Sequence, residues 1–412
     1  MNMTFFKANL ISAFSIVVFS SSLFANNYEN NANALLKTTI VNAQNIFSHS
    51  QLQPINTDLS GLDAWIDKSE VKWGNRDLSN FEDQKISYEL QFKNQQQIKA
   101  EQELLNIGQN KVALKLSSYL EKQLLYKYKM LIDAIEQRKQ QGILQQQHAL
   151  ARGELNSWKL KINSDDFRAD KLQQADLTLD NIWGEMLQNG ARNEQLKRQG
   201  IYQYNFSHVG QAIPTIRQIL TTVDNIIQTG QYQQHNLRIQ AAELGIYLAN
   251  KERQRSAAQK NLSLKSFKVE YDNKDQDFGV SVGIKIPVTK NSFERLKEKQ
   301  ALHFKQLGAQ NMRLEIAGQL SEKRNQLVQL SNLWETNQKL LQKIEIRMSR
   351  LVKTPNIELQ SALSKQKIKL VDRNNSIEVN ALRVYISFLK EAGMLASKPY
   401  RNWLQVGTPV LF

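Results

Sequence analysis

Gly279-Val280-Ser281-Val282-Gly283 matches the spacing G-x-S-x-G, which presents a nucleophilic serine in one family of hydrolases. That chemistry needs a sharp strand-to-helix turn that lifts the serine clear of the sheet. Here the motif lies inside an alternating run, Phe278-Gly279-Val280-Ser281-Val282-Gly283-Ile284, which places Ser281 on the polar side of a flat strand. The five histidines, His49, His148, His208, His235 and His303, show no metal-ligand spacing. There is no glycine-rich phosphate cradle, and no cysteine for disulfide, thiolate or metal chemistry. The chain therefore reads as a non-enzyme without catalytic residues, cofactor or metal. Any work it takes part in must draw energy from a partner.

The elements around these residues are long and regular. Only 6 Pro and 17 Gly interrupt 412 residues, a composition that favours long helices. The formal charge is +15, with basic residues mixed among Glu and Asp along helical stretches. No aromatic-and-basic module for nucleic acid is visible. Residues 1–25 read as a secretory signal: Lys7 supplies the positive region, an apolar run extends from Leu10 to Phe24, and Ala25 precedes the expected cut. No later stretch reaches the ~18–20 apolar residues of a spanning helix, so later membrane contact must use strands or an interfacial helix.

Two strand pairs interrupt the helical pattern, at about 64–73 with 85–92 and 266–271 with 278–286. Ile86, Tyr88, Leu90 and Phe92 share one face opposite Ser87, Glu89 and Gln91. Phe267, Val269 and Tyr271 oppose Lys268 and Glu270, and Val280, Val282, Ile284 and Ile286 oppose Ser281, Gly283 and Lys285. Period two gathers the apolar set on one side of a sheet. Trp73, Tyr88, Phe92, Phe267, Tyr271 and Phe278 lie near strand ends, where aromatics either form interfacial girdles or pack as ordinary strand residues.

Each pair feeds a very long helical pattern, about 94–147 and 292–351. In the second, Leu320, Leu327, Trp334, Leu341 and Met348 recur every seventh residue, with Leu330, Ile344 and Leu351 offset by three. This is a coiled-coil seam, on a helix of ~80–90 Å at 1.5 Å per residue. Turns are expected at Ala151-Arg152-Gly153-Glu154 and at Lys353-Thr354-Pro355-Asn356, followed by return helices. Further helices are expected at 213–228, 236–259 and 357–396. The chain thus divides into two repeats, 26–205 (strand pair 64–92, helical hairpin 94–190) and 206–412 (strand pair 266–286, helical hairpin 290–396).

Four strands cannot close a barrel, and open edges are not tolerated in lipid. Three chains would supply twelve strands, within the range of closed outer-membrane barrels. Ile86, Tyr88, Leu90, Phe267, Val269, Val280, Val282 and Ile284 are then the lipid-facing set. A soluble sheet capping a helical stalk is the alternative.

Three stretches carry a family resemblance. The run from Asn236-Leu237-Arg238 through Ala241, Ala242, Ala249 and Ala257 to Leu262-Ser263-Leu264-Lys265-Ser266 is an Ala-rich helix entering a strand. Val282-Gly283-Ile284-Lys285-Ile286-Pro287-Val288 is a strand-to-helix junction, and Arg152-Gly153-Glu154-Leu155-Asn156-Ser157 a small polar tip. Their ordered combination, over nearly all of residues 26–412, resembles the TolC-like outer-membrane efflux proteins (outer membrane factors).

The resemblance implies a mainly α protein with a small β part: long coiled-coil hairpins forming an α-barrel, below a trimeric 12-stranded β-barrel. It implies a homotrimer in the outer membrane of a Gram-negative bacterium, extending into the periplasm. It would dock with a periplasmic adaptor (membrane fusion) protein and an inner-membrane transporter, as the exit duct of a tripartite efflux pump or type I secretion system. Outer-membrane lipid is the other contact, and nucleic acid is not a partner. Arg152, Gly153, Glu154, Leu155, Thr354 and Pro355 would form the adaptor-docking tip, and Arg350, Lys353 and Glu358 the periplasmic entrance. The sequence departs from the family in a shorter, more polar segment at 26–62, in the lack of a proline after the first strand pair, and in Lys353-Thr354-Pro355 where a glycine is usual. A non-conducting periplasmic coiled-coil scaffold, or a degenerate paralogue, is the competing reading.

Overall fold

A computed structural model describes residues 32–49, 65–75, 84–165, 167–198, 213–259, 263–272, 277–285, 292–351, 357–408 and 410–411. The expected signal segment 1–25, Pro287, and the second tip with Lys353, Thr354 and Pro355 lie outside these residues. The described elements in chain order are α1 (Ala32–His49), β1 (Ile66–Asn75), β2 (Gln84–Phe92), α2 (Gln95–Leu160), α3 (Ala169–Arg198), α4 (Ile216–Gln228), α5 (Gln231–His235), α6 (Leu237–Gln259), β3 (Ser263–Asp272), β4 (Asp277–Lys285), α7 (Ser292–Leu351) and α8 (Ile357–Glu391). The protein is mainly α with one small four-stranded sheet, as the sequence patterns predict. Among the described residues no helix is long and apolar enough to cross a membrane.

The strands form one antiparallel sheet in the order β1-β2-β3-β4. The two pairs, far apart in sequence, join through β2 and β3, with Ile86 opposite Tyr271 and Tyr88 opposite Val269. β1 and β4 remain as edges.

At 1.5 Å per residue, the 66-residue α2 and 60-residue α7 extend roughly 100 and 90 Å from the sheet. A capping box starts α2 directly after β2. The Asn94 side chain accepts from the Gln97 backbone N–H at 2.8 Å, and the Gln97 side chain accepts from the Asn94 N–H at 3.0 Å. This satisfies two orphan donors at the helix start and serves where the first junction lacks a proline. Asn94 Nδ2 also donates to the Ala258 carbonyl at 2.6 Å, tying the end of α6 to the start of α2.

α2 pairs with α3 and α7 with α8 as hairpins, and α8 also packs on α2. The heptad seam is present as read: Leu320, Leu327, Leu341 and Ile344 are buried. The main core lies midway along the helices. There Leu120, Leu124, Leu131 and Ile132 of α2 meet Ile216, Ile219, Val223 and Ile226 of α4 and Leu382, Tyr385, Phe388 and Leu389 of α8. A second, smaller cluster near the far end holds Leu341, Ile344, Leu363 and Leu370.

Three features differ from the sequence reading. First, α2 does not break at Ala151-Arg152-Gly153-Glu154. It runs on to Leu160, caps at Lys161, and turns over 161–165. An internal glycine costs a helix only ~1 kcal/mol relative to alanine, and burial of Ala151 and Leu155 against the rest of the hairpin outweighs it. Second, α8 stops at Glu391 rather than continuing to 396. Gly393 takes φ +73, its N–H bonding the Lys390 carbonyl at 2.9 Å and the Met394 N–H the Leu389 carbonyl at 2.8 Å. This is a Schellman stop. Third, the short polar segment at 26–62 contains α1, whose Leu36, Ile40 and Ala43 are buried in the main core.

The C-terminal stretch straps this core. Trp403, Leu404 and Leu411 are buried in it. The phenol of Tyr128 donates to the Arg401 carbonyl at 2.9 Å and accepts from the Trp403 N–H at 3.3 Å. Burial pushes that phenol well above the ordinary tyrosine range. Asn402 Nδ2 donates to Asn33 Oδ1 at 2.6 Å, fastening α1 beneath the strap.

Candidate functional site: the two-faced sheet and the far helical end

The sheet separates polar from apolar residues across its strands, except that β1 sets Ser69 opposite Leu90 on the apolar face. Pairing aligns Trp73, Ile86, Tyr271 and Phe278 in one row, Val71, Tyr88, Val269 and Val280 in the next, and Leu90, Phe267 and Val282 in a third. Trp73, Val71, Ile86, Tyr88, Val280, Val282 and Ile284 are all exposed, Val282 by 58%. Leu90, Phe267 and Val269 are half-buried on the same face. From Ile86 to Phe92 this apolar face spans about 20 Å. Three of the six aromatics picked from the sequence, Trp73, Tyr271 and Phe278, fall in the row farthest from the helices. Tyr88 and Phe267 lie in the middle rows, and Phe92 pairs with Ile66 at the helical end.

The opposite face is an ion-pair ladder. Glu70 takes Lys68 at 2.8 Å and Lys72 at 3.6 Å, and Lys72 also reaches Glu89 at 3.5 Å. Glu270 takes both Lys85 and Lys268. Ser87 is buried on this face. Ser281 sits opposite Lys268 in regular strand pairing, without the turn that a nucleophilic serine requires. Gly283 leaves room that a side chain would fill: an added Cβ would stand 2.6 Å from Ser266 Oγ.

The far end joins residues from both hairpins. Arg152 and Gly153 are exposed on α2, Glu154 is half-buried and Leu155 is buried. Glu154 accepts a hydrogen bond from Ser361 and an ion pair from Lys365 at 2.7 Å, both on α8. A cleft of about 440 Å³ opens here, lined by Glu154, Trp158, Lys161, Arg168, Lys171, Glu358, Ser361 and Lys365 among others. Lys161 Nζ lies 5.0 Å from the centroid of the Trp158 ring. The structure thus brings Glu154 and Glu358 to one site, and places Arg350, exposed, in the last turn of α7. Trp158, Lys161, Arg168 and Lys171 line this cleft because the turn lies at 161–165; a turn expected at 151–154 leaves them out. The cluster Ser164-Asp165-Asp166 was the signal that could have placed it.

Among the described residues no group of side chains could hold a metal ion. No protein-family model matches the sequence, and no curated protein matches it. Among solved structures the chain is similar to CusC, described in terms of folding and transmembrane channel formation. The identity is 13% and the TM-score 0.48, over 90% of this chain and 95% of that one. It is similar to the outer membrane channel CmeC of Campylobacter jejuni at 11% identity and TM-score 0.46, over 93% and 85% of the two chains. It is also similar to the outer membrane protein VceC of Vibrio cholerae at 8% and 0.48, over 88% and 92%.

Proposed function

We propose that this protein is a TolC-like outer-membrane export channel, a homotrimer whose twelve strands close a barrel in lipid above a periplasmic tunnel of helices. One observation carries the reading: a four-stranded sheet with an exposed apolar face, an ion-paired opposite face and two open edges stands at one end of a helical body roughly 90–100 Å long. Water on the apolar face would be costly, whereas lipid would suit it. Closure with two further copies would pair both edges and turn the ladder of Lys68, Glu70, Lys72, Lys85, Glu89, Lys268 and Glu270 toward a wet lumen. The row of Trp73, Tyr271 and Phe278 would then form part of an interfacial girdle.

The far end, where Arg152, Gly153 and Glu154 precede the 161–165 turn, would meet a periplasmic adaptor together with Thr354 and Pro355, while Leu155, buried in the hairpin, would support that surface from within. Arg350, Lys353 and Glu358 would surround the entrance, and an inner-membrane transporter would supply the energy. Residues 26–205 and 206–412 act as two structural repeats of this wall. Fractionation followed by single-channel recording tests the proposal: it requires heat-modifiable trimers in the outer membrane that conduct in planar bilayers. A soluble periplasmic protein without conductance would replace it with the scaffold reading.

A further inference from the structure

A trough of about 560 Å³ lies between α2 and α6 and ends at the last turn of α8. Lys251 pairs with Glu103, and Arg255 with Glu101 at 3.0 Å, so α6 and α2 lie side by side and antiparallel. Leu237, Ala241, Leu244 and Leu248 recur every three or four residues on α6 and so share one face of it. Leu114 of α2 lines the opposite wall. Gly245 lies among them, and a Cβ there would meet nothing within 4 Å, so the missing side chain widens the trough.

Glu121 lines the end of the trough beside Lys390 and Glu391. It is half-buried and makes no hydrogen bond or ion pair among the described residues. Lys390, the cation that acts on it most, is already paired with Glu391 at 2.7 Å. Burial above all raises the Glu121 carboxyl to about 7. Polar groups that leave water ordinarily find partners, and an unpaired carboxyl in an apolar cleft is a group that a ligand completes. Lys111 and Lys115 stand at the rim, where Arg238 is paired with Glu315 at 3.0 Å. Burial decides which sign the trough prefers. Lys111 and Lys115 are exposed, so water and salt screen them. Beside the half-buried Glu121, an effective dielectric near 20 makes a charge contact roughly fourfold stronger than in water.

We infer that this trough binds an amphipathic organic cation, with its charge at Glu121 and its apolar body between α2 and α6. The carboxylate holds the cation, and Leu114, Leu237, Leu244 and Leu248 take the body out of water. The lining named here belongs to one chain, so the site is complete in a single copy and does not depend on channel assembly.

Tetraphenylphosphonium and tetraphenylborate share one shape and carry opposite fixed charges, so together they read the sign of the site. Calorimetric titration of each into the full-length protein, in one detergent, is the test. The parent should bind tetraphenylphosphonium, and Glu121→Gln should weaken that binding on the order of tenfold. Gly245→Phe fills the trough and replaces a weak helix former, and it should weaken binding as much with Glu121 intact. Affinity of the parent should rise on the order of tenfold between pH 5.5 and 8.5, as Glu121 ionises. The charged groups around Glu121 are Lys111, Lys115 and Lys122 on α2, Arg238 on α6, and Lys390 and Glu391 on α8. Glu121→Gln separates their titration from its own and should show no such rise. The profile is read on the parent, so it decides even where a variant fails to fold. A flat parent profile, a rise that persists in Glu121→Gln, or equal binding by the parent and Gly245→Phe would overturn the inference. Tighter binding of tetraphenylborate, lost in Gly245→Phe, would also overturn it, because the rim lysines would then set the sign.

Discussion

Asn236 holds the end of α8 through Glu391: its Nδ2 donates to the Glu391 carbonyl at 2.5 Å. Its Oδ1 accepts from the N–H groups of Arg238 at 2.8 Å and Ile239 at 3.0 Å. One buried side chain thus caps the start of α6 and the last turn of α8. The chain passes so close there that a Cβ on Gly393 would stand 2.2 Å from the His235 carbonyl oxygen.

Asn236→Ala should therefore cost about 1–3 kcal/mol, a lost cap plus an unpaired carbonyl. Gly393→Ala should cost more, because the left-handed backbone and the clash with His235 act together. Thermal unfolding compares the two. An Asn236→Ala protein as stable as the parent, or a Gly393→Ala change milder than Asn236→Ala, would contradict this account of the joint.

The sheet makes a prediction by face. Val282→Arg should impair membrane assembly by ~2–4 kcal/mol near the bilayer midplane. Ser281→Arg, one residue along on the ladder face, should be much milder. Yields of heat-modifiable trimer measure both. Equal losses would remove the lipid assignment from the exposed face.

Glu121 on α2 is half-buried near Lys390, Glu391 and Lys122. Burial, together with the negative charge of Glu391, pushes its carboxyl up to about 7, while Lys390 and Lys122 pull it down. A carboxyl raised in the folded state binds its proton more tightly there than in the unfolded chain. Its stabilising contribution is present at and below the ordinary carboxylate range and is lost as pH rises through about 7. The parent should lose roughly 1–3 kcal/mol between pH 5 and 8 relative to Glu121→Gln. Parallel stability-versus-pH curves for the two proteins would refute the assignment.

Charge at the far end bears on ion preference. Between Lys343 and Arg373 eight basic residues face three acidic ones, a sum of +5. Lys367 is matched by Glu345 at 2.9 Å and Lys365 by Glu154 at 2.7 Å. Arg350 is exposed at the end of α7. If threefold symmetry gathers these charges around a narrow mouth, reversal potentials should show anion preference. Arg350→Glu should shift them toward cations. Cation selectivity that survives Arg350→Glu would take these residues out of the conducting path.

Much of this protein is decided locally and is legible in its sequence. Alternation of Tyr88, Leu90 and Phe92 against Glu89 and Gln91 makes a strand wherever it is placed, because successive side chains point to opposite sides. The sevenfold spacing of Leu320, Leu327, Trp334 and Leu341 makes a coiled-coil seam by helix geometry alone. Tertiary contacts decided the rest. Gly153 looked like a turn because glycine is weak in helices, but burial of Ala151 and Leu155 carried α2 past it to Lys161. Nothing local says that β2 pairs with β3, that Glu154 takes Lys365 from a helix more than 200 residues on, or that Trp403 returns to Tyr128. Those contacts link residues far apart in sequence, and they form only once the two hairpins have been laid side by side.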